Sequence, residues 1–249
     1  MTTHDPRDVD PGDPDVDVSV IVPAYNEASM IERSTADIVE GLRAAGVSFE
    51  VVVVENGSTD DTRALVEAVA RREPEVMARS LPSADYGEAL RAGLLAARGR
   101  RVVIFDADYY DLDFLDHALA RMRADPTIAI VVGSKRAPGT RDDRPWPRRA
   151  ITATFALVLR TGFGLQVSDT HGMKALDAEA VRPFAARCRN GRDLFDTELV
   201  LRADRAGLVV VELPVTVVER RPSRTPIARR ALRTCVGLVR LRVLLWRDR

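Results

Sequence analysis

The sequence predicts an α/β fold with a mostly parallel central sheet, and three observations carry that prediction. β-Branched, apolar runs recur at residues 18–23, 49–54, 101–105 and 128–132. Helix-forming stretches of about ten to fifteen residues separate them. The early runs also stop abruptly, at Pro23, at Glu55-Asn56-Gly57-Ser58 and at Asp106-Ala107-Asp108. Strands that alternate with helices pair in parallel and leave their ligand sites at the carboxyl ends.

Residues 1–17 are rich in Asp and Pro without apolar periodicity and read as a solvated acidic leader outside the fold. The first strand follows at 18–23, and a helix is expected over 28–45. The strand at 49–54 breaks at a polar turn, and Thr59, Asp60 and Asp61 lead the next helix. A third helix spans about 87–98, the strand 101–105 follows, and a helix at 112–122 precedes the strand 128–132. Residues 133–148 carry Pro138, Gly139, Pro145 and Pro147 among many charges and are expected to form a loop able to move as a flap. Helices are then expected near 149–161, 178–187 and 195–206, with strands across 208–218. The main domain is therefore set at 18–224. The stretch 225–249 reads as a basic amphipathic helix, with ten arginines from Glu219 onward against Glu219 and Asp248.

Composition narrows the function classes. A chain of 249 residues, 46% hydrophobic, is long enough to bury a full core. Its 37 basic and 37 acidic side chains give a formal net charge of +0, which argues against nucleic acid as a partner. Lys135 and Lys174 are the only lysines. Cys188 and Cys235 fit neither a disulfide framework nor a metal-binding Cys pair, and nothing like a signal peptide precedes the first strand, so a reducing, cytoplasmic location is expected. No stretch reaches the roughly 18 to 20 apolar residues of a membrane span.

Asp106-Ala107-Asp108 is the sharpest chemical signal. Carboxylates at i and i+2 leave an extended chain on one side and can grip a hard cation, Mg²⁺ or Mn²⁺, shared with a substrate's phosphates. A helix-capping Asp beside a solvated one is the plainer alternative. Pro23-Ala24-Tyr25-Asn26-Glu27 sets an aromatic ring and hydrogen-bonding groups at a strand end, suited to a nucleoside or to an ordinary turn. In Glu55-Asn56-Gly57-Ser58, Gly57 permits positive φ or close approach.

Together, Val20-Ile21-Val22-Pro23-Ala24-Tyr25-Asn26-Glu27, Glu55-Asn56-Gly57-Ser58-Thr59-Asp60-Asp61-Thr62 and Asp106-Ala107-Asp108 resemble the ordered motifs of family 2 glycosyltransferases with the GT-A fold. The second half is similar to the dolichyl-phosphate and polyprenyl-phosphate hexosyltransferase branch, through Val132-Gly133-Ser134-Lys135-Arg136, Asp169-Thr170-His171-Gly172-Met173-Lys174 and Phe195-Asp196-Thr197-Glu198-Leu199. The resemblance implies an inverting, metal-dependent transfer of a hexose from a UDP- or GDP-sugar. It places Pro23, Ala24, Tyr25, Glu27, Glu55, Asn56, Asp106 and Ala107 around the nucleotide sugar, with Asp108 as metal ligand. Glu55-Asn56 stands where the family usually has two aspartates. Tyr109-Tyr110 replaces the Leu-Gln of the lipid-phosphate branch, leaving Asp111 or water as the substitute for a glutamine ligand.

For a polyprenyl phosphate acceptor the resemblance implies phosphate contacts from Lys135, Arg148 with Thr152, Arg221, Arg224 and His171. A hydroxyl acceptor would instead need a carboxylate base, Asp196 or Glu198, and at most one of the two can face the site. Asp196 is alternatively the cap of its helix. His117 is assigned to a solvent face. The terminal helix either lies on a membrane surface or docks on its own sheet. A dinucleotide oxidoreductase lacks its Gly-x-Gly-x-x-Gly after the first strand, a nucleotidyltransferase lacks its glycine-rich loop, and a non-catalytic sugar-nucleotide binder would be separated by metal-dependent turnover.

Overall fold

The structure is a computed structural model and describes residues 16–143, 145–189, 191, 194–217 and 227–247. The described strands are β1 (Val18–Ala24), β2 (Phe49–Asn56), β3 (Val76–Leu81), β4 (Arg101–Ile104), β5 (Ile128–Ser134), β6 (Arg141–Asp142), β7 (Lys174–Asp177), β8 (Val209–Pro214) and β9 (Thr216–Val217). Seven form one sheet in the order β3-β2-β1-β4-β7-β5-β8, and β6 pairs with β9 apart from it. All pairings in the large sheet are parallel except those of β7, which runs antiparallel to both β4 and β5.

The helices are α1 (Ile31–Ala45), α2 (Thr62–Arg72), α3 (Tyr86–Ala96), α4 (Leu112–Ala124), α5 (Trp146–Phe163), α6 (Ala178–Arg187), α7 (Phe195–Arg205) and α8 (Ile227–Arg247). They cover both faces of the sheet, which is why its strands read as unbroken apolar runs rather than alternating ones. Residues i and i+1 then belong to opposite cores: Ile21, Val52, Val102 and Ile130 pack with α3, α6, α7 and α8, while Val20, Val51, Val103 and Val131 pack with α1, α2 and α4.

Local chemistry sets the helix ends. Asp85 accepts from the Glu88 amide at the start of α3, and Asp177 does the same for Ala180 at the start of α6. Gly46 and Gly164 close α1 and α5 in the left-handed conformation.

Three sequence expectations change. β3, interrupted by Arg79 and Ser80, was not anticipated because an edge strand with partly exposed residues lacks the apolar run of its neighbours. The four-residue β7, antiparallel to both of its neighbours, was not anticipated either. The expected open loop at 133–148 is partly built: β5 extends through Ser134, β6 pairs with β9, and α5 already begins at Trp146. The leader through residue 15, Arg221 and Arg224 lie outside the described residues.

Candidate active site

From β1 the chain builds outward through α1 to β2 and β3, then returns through α3 to β4 on the other side of β1. Strand order reverses between β1 and β4, and a crevice opens there between the loops at the carboxyl ends. The loops after β1, β2 and β4 all reach it.

The first two loops are joined by side chains of the sequence motifs. Asn26 has φ 55° and accepts from the Thr59 amide at 2.8 Å, while its own amide donates to Ser58 Oγ at 3.0 Å. The Glu27 amide donates to Thr62 Oγ1 at 2.8 Å, and the Ala28 amide to Asp60 Oδ2 at 3.3 Å. Asp60 also accepts from the Thr62 amide at 3.0 Å, so it holds the start of α2. Gly57 is required twice over, by φ +72° and by the Ser83 backbone, which a Cβ would approach to 2.8 Å. The structure thus brings Pro23, Ala24, Tyr25, Glu27, Glu55 and Asn56 onto one platform, with Tyr25 the exposed aromatic ring and Glu55 and Asn56 buried. Glu55 accepts from the Ser58 amide, so it braces its own turn.

After β4 the chain makes a tight turn. The Asp106 and Tyr109 amides and carbonyls exchange two hydrogen bonds of 3.1 Å, which place Ala107, buried, and Asp108 at the tip of the turn. Tyr86, from the first turn of α3, donates its hydroxyl to Asp106 Oδ1 at 2.8 Å. Burial pushes the Asp106 carboxyl up to about 6; the Tyr86 hydrogen bond opposes the rise, and the charges of Asp108 and Asp196 add to it. The same burial and charges hold the Tyr86 phenol well above its ordinary range. This excess of negative charge, made of hard oxygen donors, fits a divalent cation. Among the described residues no third His, Cys, Asp or Glu joins them as a ready-made metal cluster.

Asp111, the expected substitute for a glutamine ligand, is engaged through Oδ1 at a helix start. It accepts from the Asp113 and Phe114 amides at 2.9 and 3.1 Å and caps α4, so the helix-capping aspartate is the one after the Asp-x-Asp pair. Tyr110 donates to Asp37 at 2.6 Å and packs against Phe105, which gives that substitution a structural role.

The other wall comes from the loop before β7, with α7 and α5. Lys174 pairs with Ile104 across the sheet, is fully buried, donates to the Gly172 carbonyl at 2.8 Å and lies 2.8 Å from Asp196 Oδ1. Lys135 donates to the His171 carbonyl at 3.1 Å and lies 3.6 Å from Asp169. Asp169 in turn accepts from the His171 amide at 2.9 Å. Both lysines of the chain therefore fasten the same loop. The His171 ring meets Phe155 of α5 edge to face at 5.2 Å, bringing α5 with Arg148 and Thr152 against this wall; Thr152 returns its hydroxyl to the Arg148 carbonyl at 3.1 Å.

The two acidic residues of α7 separate as their spacing requires. Asp196 faces Lys174 and, through its charge, Asp106; it lies inside the helix, whose cap position is Leu194, so it is not the cap. Glu198 turns away from the site, is fully buried, pairs with Arg202 at 2.8 Å and accepts from the Arg189 amide at 3.0 Å. Glu198 is therefore removed from the candidate bases. His117 is exposed on α4, as expected. Tyr86 escaped the sequence reading; the available signal was an aromatic residue directly after the Asp85 helix cap, at a loop facing the crevice.

A sheet whose reversal point carries an Asp-x-Asp turn beside two interlocked loops defines a GT-A fold. The chain belongs to the glycosyl transferase family 2, whose family model matches residues 19–182. It is 33% identical over 207 residues to glycosyltransferase AglD of Haloferax volcanii, covering 80% of this chain but only 33% of that protein. An uncharacterized glycosyltransferase of Mycobacterium tuberculosis is 32% identical over 212 residues, covering 85% of this chain and 89% of the relative. A dolichyl-phosphate beta-glucosyltransferase of Trichomonas vaginalis is 28% identical, covering 92% of this chain and 74% of its own. Among solved structures, glucosyl-3-phosphoglycerate synthase of Mycobacterium tuberculosis, in complex with Mn²⁺, UDP and phosphoglyceric acid, superposes with a TM-score of 0.65. It is 23% identical and covers 87% of this chain and 74% of that one.

Proposed function

We propose that this chain transfers a hexosyl group from a UDP- or GDP-sugar to a polyprenyl phosphate, with inversion and with Mg²⁺ or Mn²⁺, at the cytoplasmic face of a membrane. The observation that carries the acceptor choice is the commitment of both candidate bases. Asp196 is paired with Lys174 and Glu198 with Arg202, so neither of these two described carboxylates is left unpaired to take a proton from a sugar hydroxyl. A phosphate monoester is already anionic and needs no proton acceptor. The dolichyl-phosphate beta-glucosyltransferases among the relatives support the same choice.

In this reading the interlocked loops hold the nucleoside, with Tyr25 against the base, while Asp106 faces the ribose. Asp108, with Asp106 beside it, would hold the cation, which supplies charge neutralisation of the departing diphosphate. The loop fastened by Lys135 and Lys174 positions the acceptor, whose phosphate oxygen attacks the anomeric carbon in line. One new C–O bond forms as the bond to the nucleoside diphosphate breaks. Lys135, Arg148, His171 and, beyond the described residues, Arg221 and Arg224 are the groups assigned to hold the acceptor phosphate.

Calorimetric titration with UDP and GDP, each with and without Mn²⁺, followed by transfer of labelled hexose to a short-chain polyprenyl phosphate, tests this. Metal-dependent binding of one nucleotide and a labelled, acid-labile lipid are expected. Transfer only to a hydroxyl acceptor would overturn the acceptor assignment.

A further inference from the structure

The Tyr86 hydroxyl is a polar group that the packing of α3 does not require. Its ring lies against the apolar cluster beneath the helix, where a phenylalanine would fill the same space. The hydroxyl adds a donor, directed at Asp106 Oδ1 at 2.8 Å. Among the described residues no other side chain donates to Asp106, and its second oxygen, Oδ2, accepts no hydrogen bond from the protein.

The surroundings give that single bond its weight. Asp106 lies within reach of the charges of Asp108, Asp196 and Lys174. Lys174 is committed elsewhere, to Asp196 and to the Gly172 carbonyl at 2.8 Å each. A cationic partner for Asp106 would cancel the charge that a divalent cation needs. A phenol is protonated at neutral pH and donates to a carboxylate without neutralising it, so it fixes the orientation of Asp106 and leaves its charge in place.

The hydroxyl is itself held firmly. α3 begins at Tyr86, directly after its cap Asp85, and this turn is wedged between the two walls of the crevice. Toward the donor loops, the Ser83 backbone packs so closely on Gly57 that a Cβ there would stand 2.8 Å away. Toward α7, a Cβ on Gly87 would stand 2.7 Å from Phe195 Cβ, and one on Gly191 would run into the Asp85 carboxylate. Contact on both sides leaves the turn little room to swing, so the length of the tyrosine side chain sets where Asp106 is gripped.

We propose that Tyr86 is a positioning residue for the transfer: its hydroxyl holds Asp106 through Oδ1 and so leaves Oδ2 for the ribose or the divalent cation. The inference rests on the proposed donor site and deepens it, by adding a residue that acts through the carboxylate rather than on the nucleotide. Removing a group that orients a metal-binding carboxylate typically weakens metal affinity or activity by about 10–100-fold.

Tyr86→Phe removes the hydroxyl and keeps the ring. UDP and GDP are titrated calorimetrically into the native chain and the variant across a Mn²⁺ series, with thermal unfolding measured beside them. Nucleotide affinity without Mn²⁺ should stay at the native value, while the Mn²⁺ concentration that half-saturates nucleotide binding should rise about tenfold or more. In the transfer assay the KM for the donor should rise and that for the acceptor should not. Equal losses with and without Mn²⁺, or an unaltered Mn²⁺ dependence, would overturn the proposal. So would a variant that no longer folds, because the hydroxyl would then serve the fold. A second pair, Asp106→Asn with and without Tyr86→Phe, checks the route: with the carboxylate charge already gone, losing the hydroxyl should leave metal-free nucleotide affinity unchanged. A further loss there would show that Tyr86 acts other than through Asp106 and would also overturn it. Native binding with an indifferent Tyr86→Phe defeats this inference alone, whereas a native chain that binds neither nucleotide with Mn²⁺ defeats the donor site and the inference with it.

Discussion

The two walls of the crevice are held by different chemistry. On the side proposed for the donor, β1 and β2 end in loops joined by short polar side chains within the motifs, Asn26 to Thr59 and Glu27 to Thr62, each bond spanning fewer than 40 residues. On the side proposed for the acceptor, the loop before β7 is fastened by long charged side chains: Lys135, just after β5, and Lys174, at the start of β7 and set against Asp196 of α7. The first wall is specified by local hydrogen bonds in which backbone amides donate to Asn, Ser, Thr and acidic side chains of the motifs. The second is specified by buried charge, which tolerates little loss of a partner.

The donor wall breaks most sharply at Asp108. Asp108→Ala is expected to lower turnover by about 10³-fold and to abolish the metal-dependent part of nucleotide binding, because it removes the carboxylate proposed to hold the cation. Its melting temperature should remain near that of the native chain. Calorimetry with and without Mn²⁺, beside a transfer assay, separates the two effects. An active variant with an unchanged metal response would remove Asp108 from the assigned role.

The acceptor wall should fail in stability. Lys174 is fully buried, so Lys174→Met leaves Asp196 as an uncompensated buried carboxylate, at a cost of about 3–5 kcal/mol. Adding Asp196→Asn should recover most of that cost, and urea unfolding of both variants measures the coupling. Additive effects would show that the pair does not hold this wall.

This contrast also explains what could be read in advance. Strands β1, β2, β4 and β5 were legible because burial on both faces makes them continuous apolar runs, and the donor motifs were legible because their residues sit within a few positions of one another. Tyr86 was not, because nothing in its neighbourhood shows that α3 delivers it to Asp106, 20 residues away. The opposite fates of Asp196 and Glu198 were half legible: helical geometry separates them, but only the fold shows that Lys174 waits on one side and Arg202 on the other. Strand β7 was hidden for a related reason. It inserts antiparallel between two strands that precede it in sequence, a placement set by long-range pairing rather than by its four residues.

Asp106 sharpens the comparison through pH. Its carboxyl titrates near 6 in the fold against 3.8 for an ordinary aspartate, so between these values the folded chain binds more protons than the unfolded one. This group's contribution to stability therefore falls as pH rises through that window. Asp106→Asn mimics the protonated form and keeps the oxygen that accepts from Tyr86. It should melt a few degrees above the native chain at pH 7.5 and alongside it at pH 4, while losing metal-dependent activity. Equal melting temperatures at both values would show that the donor wall stores no such charge strain.

The smallest effect expected, and the most specific to the donor wall, is at Asn26. Its φ of 55° lies in the left-handed region, and its side chain accepts from the Thr59 amide. Asn26→Gly keeps the backbone and deletes the bond, for a loss of about 1 kcal/mol and a severalfold weaker affinity for the nucleotide. Asn26→Ala deletes the same bond and adds the steric cost of an alanine in that conformation, about 1 kcal/mol more. The Gly-to-Ala difference therefore isolates backbone strain, and the native-to-Gly difference isolates the bond between the loops. If both variants unfold alike, the left-handed residue relaxes on substitution, and the interlock depends on Ser58 and Thr62 instead. If Asn26→Gly loses affinity without losing stability, the bond serves to hold the two loops in register for the nucleotide rather than to hold the fold.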